Sequence, residues 1–303
     1  MSEYPKSVQL VEVGPRDGFQ SVKEFIPTET KKKVIDMLVA AGCKKIQATS
    51  FVNPKAIPQM ADAAEIAEYV LKTYPDVSFY ALTPNARGVQ NAWDAGFREV
   101  SYVISVSAGH NMANVRRTPD ESFADLRAIR ERYPDMKIVL DAATTFGCPF
   151  DGVVTTEQVV AYLEKACEAG ITAVDLCDTI GIANPLQVER LAGVVLEKFP
   201  EIRFGIHIHD TRNMGIVNTL TAIRSGITRV STTCGGMGGC PFAPGASGNT
   251  SSEDLVFMLD QMGIDTGVSF EKLLETARFL KENVPANYSG HQMNIAPKQC
   301  VMG

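Results

Sequence analysis

Three short stretches hold side chains whose types and spacing suit chemistry. His207 and His209 stand two apart in the run RFGIHIH (203 to 209), and on a strand that spacing points both imidazoles to one side of the sheet. Two imidazoles converging on one point suit a divalent metal ion. A pair of hydrogen-bonded core histidines is the plainer alternative, yet the chain has only four histidines (His110, His207, His209, His291), and two of them meet here. Arg16 and Asp17 follow another strand-like run, where an Arg-Asp dipeptide ordinarily forms a surface ion pair. Set beside the histidines, Asp17 would add a hard oxygen ligand and Arg16 would face developing negative charge. Oxygen mixed with imidazole favours Mg2+ or Mn2+ over a thiolate-bound structural zinc.

The third stretch, STTCGGMGGCPFAPGASGNTSSEDL (231 to 255), spends six glycines and two prolines between an expected strand and an expected helix. Glycines permit sharp turns and close backbone approach, as a segment closing over a site requires. Cys240, between Gly239 and Pro241, is out of place as a routine core residue, which sets a reactive thiol against inert packing. Asn249 stands near the start of the following helix, as a cap or as a fourth, neutral ligand.

Such residues must be held by a scaffold, and the sequence predicts one. Strand-length apolar runs recur at 8 to 14, 45 to 51, 77 to 83, 99 to 105, 137 to 143, 173 to 179, 203 to 209 and 229 to 235, apolar on both faces. Amphipathic stretches such as TETKKKVIDMLVAAG, TPDESFADLRAIRERY and TEQVVAYLEKACEAG separate them, with Thr openings and Gly closures. Eight βα units predict an α/β fold, a (β/α)8 TIM barrel. The runner-up, a doubly wound sheet, would more often carry a GxGxxG turn after its first strand, which is absent. The expectation is a single domain over 1 to 303, with an extra C-terminal helix at 269 to 283 in an extension from about 266. In a barrel the site lies where strands end, and there stand Arg16-Asp17, Asp178-Thr179, His207 to Asp210 and the glycine-rich stretch.

Composition excludes several classes. With 29 Lys plus Arg against 35 Asp plus Glu, the net charge is −6, and no basic cluster exceeds Lys31-Lys32-Lys33, so nucleic acid is not an expected partner. No apolar run approaches the roughly 18 residues a membrane span requires, and the N-terminal residues carry no secretory pattern, so a cytoplasmic location is expected. Seven cysteines without a CxxC pair read as reduced thiols.

These motifs resemble the hydroxymethylglutaryl-CoA lyase family, within the wider group of barrel metallolyases. The resemblance runs over roughly 7 to 298: VEVGPRDGFQ, TSFVNPKAIPQMAD, LTPNARG, LCDTIGIANP, HIHDT, and GGMGGCPFAPGASGN followed by SSEDL. HIHDT is shared across the wider group, whereas the Cys-Pro-aromatic-Ala segment with Gly-Ala-Ser-Gly-Asn is specific to the family. The resemblance implies Asp17, His207, His209 and Asn249 as ligands of Mg2+ or Mn2+. It implies Arg16 beside the thioester oxygen, Asp17 or His207 as base, Cys240 as a catalytic thiol, and Arg16, Gln20, Gln47 and Thr179 as substrate contacts. It further implies an acyl-CoA substrate, a retro-Claisen cleavage to acetyl-CoA and acetoacetate, and a homodimer. Lys23 and the His110-Asn111 region are candidates for the coenzyme A tail.

Two departures stand out. Where the family usually has a glutamate at the end of the second strand, this chain has Gln47, and after HIHDT it reads Arg212-Asn213-Met214 in place of Tyr-Gly-Gln. They motivate two alternatives, a condensing enzyme of the same group acting on a 2-oxo acid or another acyl-CoA, and a relative that binds acyl-CoA without cleaving it.

Overall fold

The computed structural model describes residues 4–239 and 248–295. Eight strands, β1 Gln9–Glu12, β2 Lys45–Ser50, β3 Ser78–Thr83, β4 Glu99–Ser105, β5 Lys137–Ala143, β6 Ala173–Asp178, β7 Arg203–Ile208 and β8 Arg229–Thr232, pair in chain order. All pairings are parallel and β8 returns to β1, so the sheet is a closed barrel, the (β/α)8 fold expected from the sequence. Around it run α1 Thr28–Ala40, α2 Ala63–Thr73, α3 Ala86–Asp94, α4 Ala108–Val115, α5 Pro119–Arg132, α6 Thr156–Glu168, α7 Pro185–Lys198, α8 Gly215–Arg224, α9 Ser252–Gln261 and α10 Phe270–Asn283.

Local sequence explains where these helices begin. Thr118 and Thr155 accept hydrogen bonds from the third-residue N–H of α5 and α6, and Glu121 and Gln158 reach back to the capping residues' N–H groups. Each reciprocal pair satisfies two backbone donors that the first helical turn leaves free. The predicted C-terminal helix is α10, which packs between α9 and α1 and so closes the outer ring over the β8–β1 seam. No helix among the described residues is long and apolar enough to cross a membrane.

One expectation changes. The apolar core lies between barrel and helices, but the barrel's inner side is largely polar rather than apolar. Gln47 on β2 donates to Ser101 on β4 (2.8 Å), Lys45 on β2 pairs with Glu99 on β4 (2.5 Å), and Arg229 on β8 pairs with Asp175 on β6. Each link skips an intervening strand, so it runs across the interior. Such charges are tolerated there because they are paired, and removing one partner would strand the other in low dielectric. Read singly, the runs hide this, since the polar residues alternate with apolar ones such as Ile46, Val100 and Val230 that face the helices.

Candidate active site at the C-terminal mouth of the barrel

Beyond β1 the chain makes a single π-helical turn, Gly14–Gly18, in which the N–H of Asp17 donates to Val13 O (2.7 Å) and that of Phe19 to Gly14 O. Turns of this kind are rare and concentrate at functional sites. Here it buries Arg16 and Asp17, at 6% and 5% exposure. Glu12 anchors the turn, accepting from the N–H of Gly14 (2.8 Å), the N–H of Cys234 (3.0 Å) and the hydroxyl of Ser252 (2.6 Å). A Cβ on residue 14 would lie 2.6 Å from Glu12 Oε1, so only glycine lets the backbone approach that closely.

β7 delivers the histidines. His207 Nε2 lies 3.9 Å and His209 Nε2 3.8 Å from Asp17 Oδ2, and the two rings stand 5.3 Å apart. One ligand atom from each of Asp17, His207 and His209 falls within 4.8 Å of the others, a group that could hold a metal ion. The donors fit a divalent ion. Burial alone would push the Asp17 carboxyl up, but Arg16 first, then His207, His209 and the Asn249 amide, hold it at about 2. Burial pushes the His209 imidazole down to about 4 against the opposing pull of Asp17. Carboxylate and neutral imidazole, the states a metal requires, are therefore already present at neutral pH.

Asn249 joins this group. Its Oδ1 lies 2.6 Å from His207 Nε2, and its Nδ2 donates to Asp17 Oδ2 (2.7 Å) and Met237 O (3.0 Å). The capping alternative does not hold, because the side chain that caps α9 is Ser251, which accepts from the N–H of Asp254 (3.2 Å). Asn249 instead arrives on a segment laid antiparallel to the end of β7: Asp210 N–H donates to Gly248 O (2.8 Å) and Thr250 N–H to Ile208 O (3.1 Å). Gly248 makes the entry, with φ +115° and Gly236 O only 2.1 Å from where a Cβ would sit. Cys240 lies outside the described residues.

The remaining expected residues divide. Gln20 donates to Asp17 Oδ1 (3.2 Å), and Gln47 accepts from Arg16 Nε, so both border the cluster. Thr179 Oγ1 accepts from the N–H of Thr144 (2.7 Å), holding the turn after β5. Lys23 is exposed, whereas His110 and Asn111 are buried, with His110 Nδ1 2.7 Å from the Ser105 hydroxyl. Arg212 donates to Ile180 O and Gly181 O, both at 3.0 Å, tying the loop after β7 to the loop after β6. Asn213 has φ 56°, and Asn tolerates that left-handed conformation better than other side-chain-bearing residues, so the change from the family's glycine leaves the turn intact. Sequence reasoning passed over Ser101 and Asp141, both buried inside the barrel and interacting with Gln47 and Arg16.

Two buried carboxyls under this face bias stability. Burial raises Glu12 to about 7 and Glu253, which accepts from the N–H of Gly235 (2.8 Å), to about 8, from an ordinary 4.5. Between the ordinary and the raised value the unfolded chain has released its proton while the folded chain keeps it. Their stabilising contribution is thus complete below about 4.5 and is lost as pH rises to about 7 and 8. Glu253→Gln keeps the acceptor for Gly235 without a titrating proton. It is expected to flatten the decline in melting temperature between pH 5 and 8, removing about 1.4 kcal/mol per pH unit of slope. An unchanged slope in a melting series would refute the assignment.

A family model described as HMGL-like matches residues 7–280. The chain belongs to the HMGL-like family. It is 41% identical over 283 residues to hydroxymethylglutaryl-CoA lyase YngG of Bacillus subtilis, covering 93% of this chain and 94% of that one. To the mitochondrial hydroxymethylglutaryl-CoA lyase of Bos taurus it is 40% identical over 279 residues, covering 91% and 86%. A solved HMG-CoA lyase from Acinetobacter baumannii, in complex with coenzyme A and 3-methylmalate, superposes with a TM-score of 0.93 at 36% identity, covering 100% of this chain and 99% of that one. The family is divalent-metal-dependent, the lyases named here are carbon–carbon lyases, and the Asp17–His207–His209 group could hold such an ion. The condensing-enzyme alternative finds less support in these relatives.

Proposed function

We propose that the chain cleaves 3-hydroxy-3-methylglutaryl-CoA, or a thioester differing only in its C3 substituent, to acetyl-CoA and acetoacetate or the matching analogue. What carries the reading is the convergence of Asp17, His207 and His209 beside Arg16, in a chain 40 and 41% identical to lyases of that name. We assign Asp17, His207, His209 and Asn249 as ligands of Mg2+ or Mn2+, which when bound supplies Lewis acidity to the substrate's oxygens.

Asp17 or His207 takes the proton of the tertiary hydroxyl as the C2–C3 bond breaks, help typically worth ~10²–10⁴-fold. The electron pair of that bond moves onto the thioester as an enolate, and the C3 oxygen becomes the ketone of acetoacetate. Arg16 meets the charge developing on the thioester oxygen. A proton returned to C2 then gives the acetyl methyl, a donation assigned to Cys240 on the family resemblance. Gln20, Gln47 and Thr179 are assigned to substrate contact on the same ground. A homodimer, and a place in leucine degradation or ketone-body formation, rest on that resemblance too. The five described cysteines are free thiols, in keeping with a reducing compartment such as the cytoplasm.

Purified protein supplied with Mg2+ or Mn2+ and racemic 3-hydroxy-3-methylglutaryl-CoA is expected to release acetyl-CoA and acetoacetate in equal amounts, and EDTA to stop it. If neither ion yields acetyl-CoA from this thioester or its C3 analogues, the reading is wrong.

A further inference from the structure

The barrel has a second mouth, at the end where its strands begin. Alternation along each strand turns Lys45 on β2, Lys137 on β5 and Arg203 on β7 to the same side as Gln47, Asp141 and His207, the barrel interior. Bulky branched residues generally fill the levels of a (β/α)8 barrel. Here a cavity of about 580 Å³ opens between the strand starts and the turns at 134–136 and 170–172. Its charged lining is Lys45, Arg130, Lys137 and Arg203 against only two carboxylates, Glu99 and Asp135.

The carboxylates at this end do not match the cations. Glu99 is taken by Lys45 (2.5 Å), and neither Lys137 nor Arg203 forms an ion pair among the described residues. Arg229 on β8, in register with Gln9 at the start of β1, is 3% exposed and spends its Nη1 on Asp175. That pair lies so close over Gly205 that a Cβ there would meet Asp175 Oδ1 at 2.1 Å and Arg229 Nη1 at 2.7 Å. Arg229 Nε and Nη2 are buried with no acceptor, a cost that an anion nearby would offset. Burial lowers the Lys45 amine; Glu99 opposes the shift, and Arg229 and Arg203 add to it. Five cations thus share this end with three carboxylates, an excess of two positive charges.

We propose that this N-terminal mouth is a second binding site, for a phosphate dianion, free or as the phosphomonoester of a small molecule. Lysine and arginine offer only donors, and a phosphate offers acceptors with a charge of about −1.5 to −2 near neutral pH, which matches the excess. A single carboxylate would leave part of it unmatched. Arginine's planar fork suits two oxygens of one phosphate, and the lysine supplies a point charge beside it. The volume falls in the range of about 300–1,000 Å³ typical of small-molecule sites, so an ester's organic part has room as well. Because the site lies at the opposite end of the barrel from Asp17, His207 and His209, its ligand does not compete with one bound there. The inference goes beyond the lyase reading and does not rest on it.

The test is calorimetric titration of the Mg2+-loaded protein with inorganic phosphate, with ionic strength held constant by NaCl. One saturable site is expected. Lys137→Gln and Arg203→Gln are each expected to weaken it ~10-fold, with kcat on the thioester held within ~2-fold because neither residue is near the other mouth. Arg203→Lys, which keeps the charge without the fork, is expected to fall between wild type and Arg203→Gln. Asp17→Asn, which removes the ion from the other mouth, is expected to leave phosphate binding in place. Glycerol 3-phosphate binding tighter than inorganic phosphate would assign the ester form, and weaker binding the free ion. The proposal is overturned by a wild type without saturable heat, by an affinity unmoved in both glutamine variants, or by binding that vanishes in Asp17→Asn. None of the binding readouts needs turnover, so a chain that failed to cleave the thioester would leave the phosphate result standing.

Discussion

Asp17→Asn is expected to lower kcat by at least ~10³-fold and to leave the purified protein with little bound Mg2+ or Mn2+ after dialysis. The variant keeps nearly the same volume, and its amide oxygen still accepts from Gln20 or Arg16, so packing is not the lesion. What disappears is the anion. With its carboxyl held at about 2, Asp17 is the one described member of the Asp17–His207–His209 group that brings negative charge to the ion at any pH the protein meets. It is also a buried partner of Arg16, so a stability loss of roughly 1–3 kcal/mol accompanies the loss of activity. Acetyl-CoA release and metal analysis of the dialysed protein check both halves. Activity within ~10-fold of wild type, with metal retained, would remove Asp17 from the ligand set.

Arg16→Lys is expected to cut kcat by ~10²–10³-fold while leaving metal content unchanged. The guanidinium directs Nε to Gln47 and Nη1 to Asp17 at once, which fixes the plane of the fork. An ammonium is a single point of charge and cannot hold both partners while also facing a developing enolate. Because that charge appears only as the carbon bond breaks, the loss belongs in kcat rather than KM. A raised KM with kcat intact would make Arg16 a residue that binds ground-state substrate.

The scaffold was legible because parallel strands buried under helices write themselves as apolar runs, and all eight runs became strands, trimmed by up to three residues at their ends. His207 and His209 were legible for a similar reason, since two residues of spacing on one strand fix a shared side. Asn249 was legible in type, with cap and ligand both open as its place. Its position near a helix start suggested a cap, and only the pairing of 248–250 with the end of β7 carries it to the histidines. Asp141 was not legible at all: one aspartate in KIVLDAA announces neither that it points into the barrel nor that Arg16, from beyond the distant β1, acts on it there. The strand gives the face, but the tilt of a closed barrel decides which residues of distant strands share a level.

The hydrogen bond from Asn249 to Asp17 joins residues 232 positions apart, one just after the first strand and the other just after the last. The group that would grip an ion therefore does not exist in a partly assembled chain; it forms only when β8 meets β1. Pairing across nearly the whole chain carries a large loop-closure cost and tends to be slow. An ion that binds only the finished ring draws the equilibrium towards it by mass action, so the same atoms serve as a clasp on the circle, and the rate at which refolding protein captures metal becomes a clock for its closing.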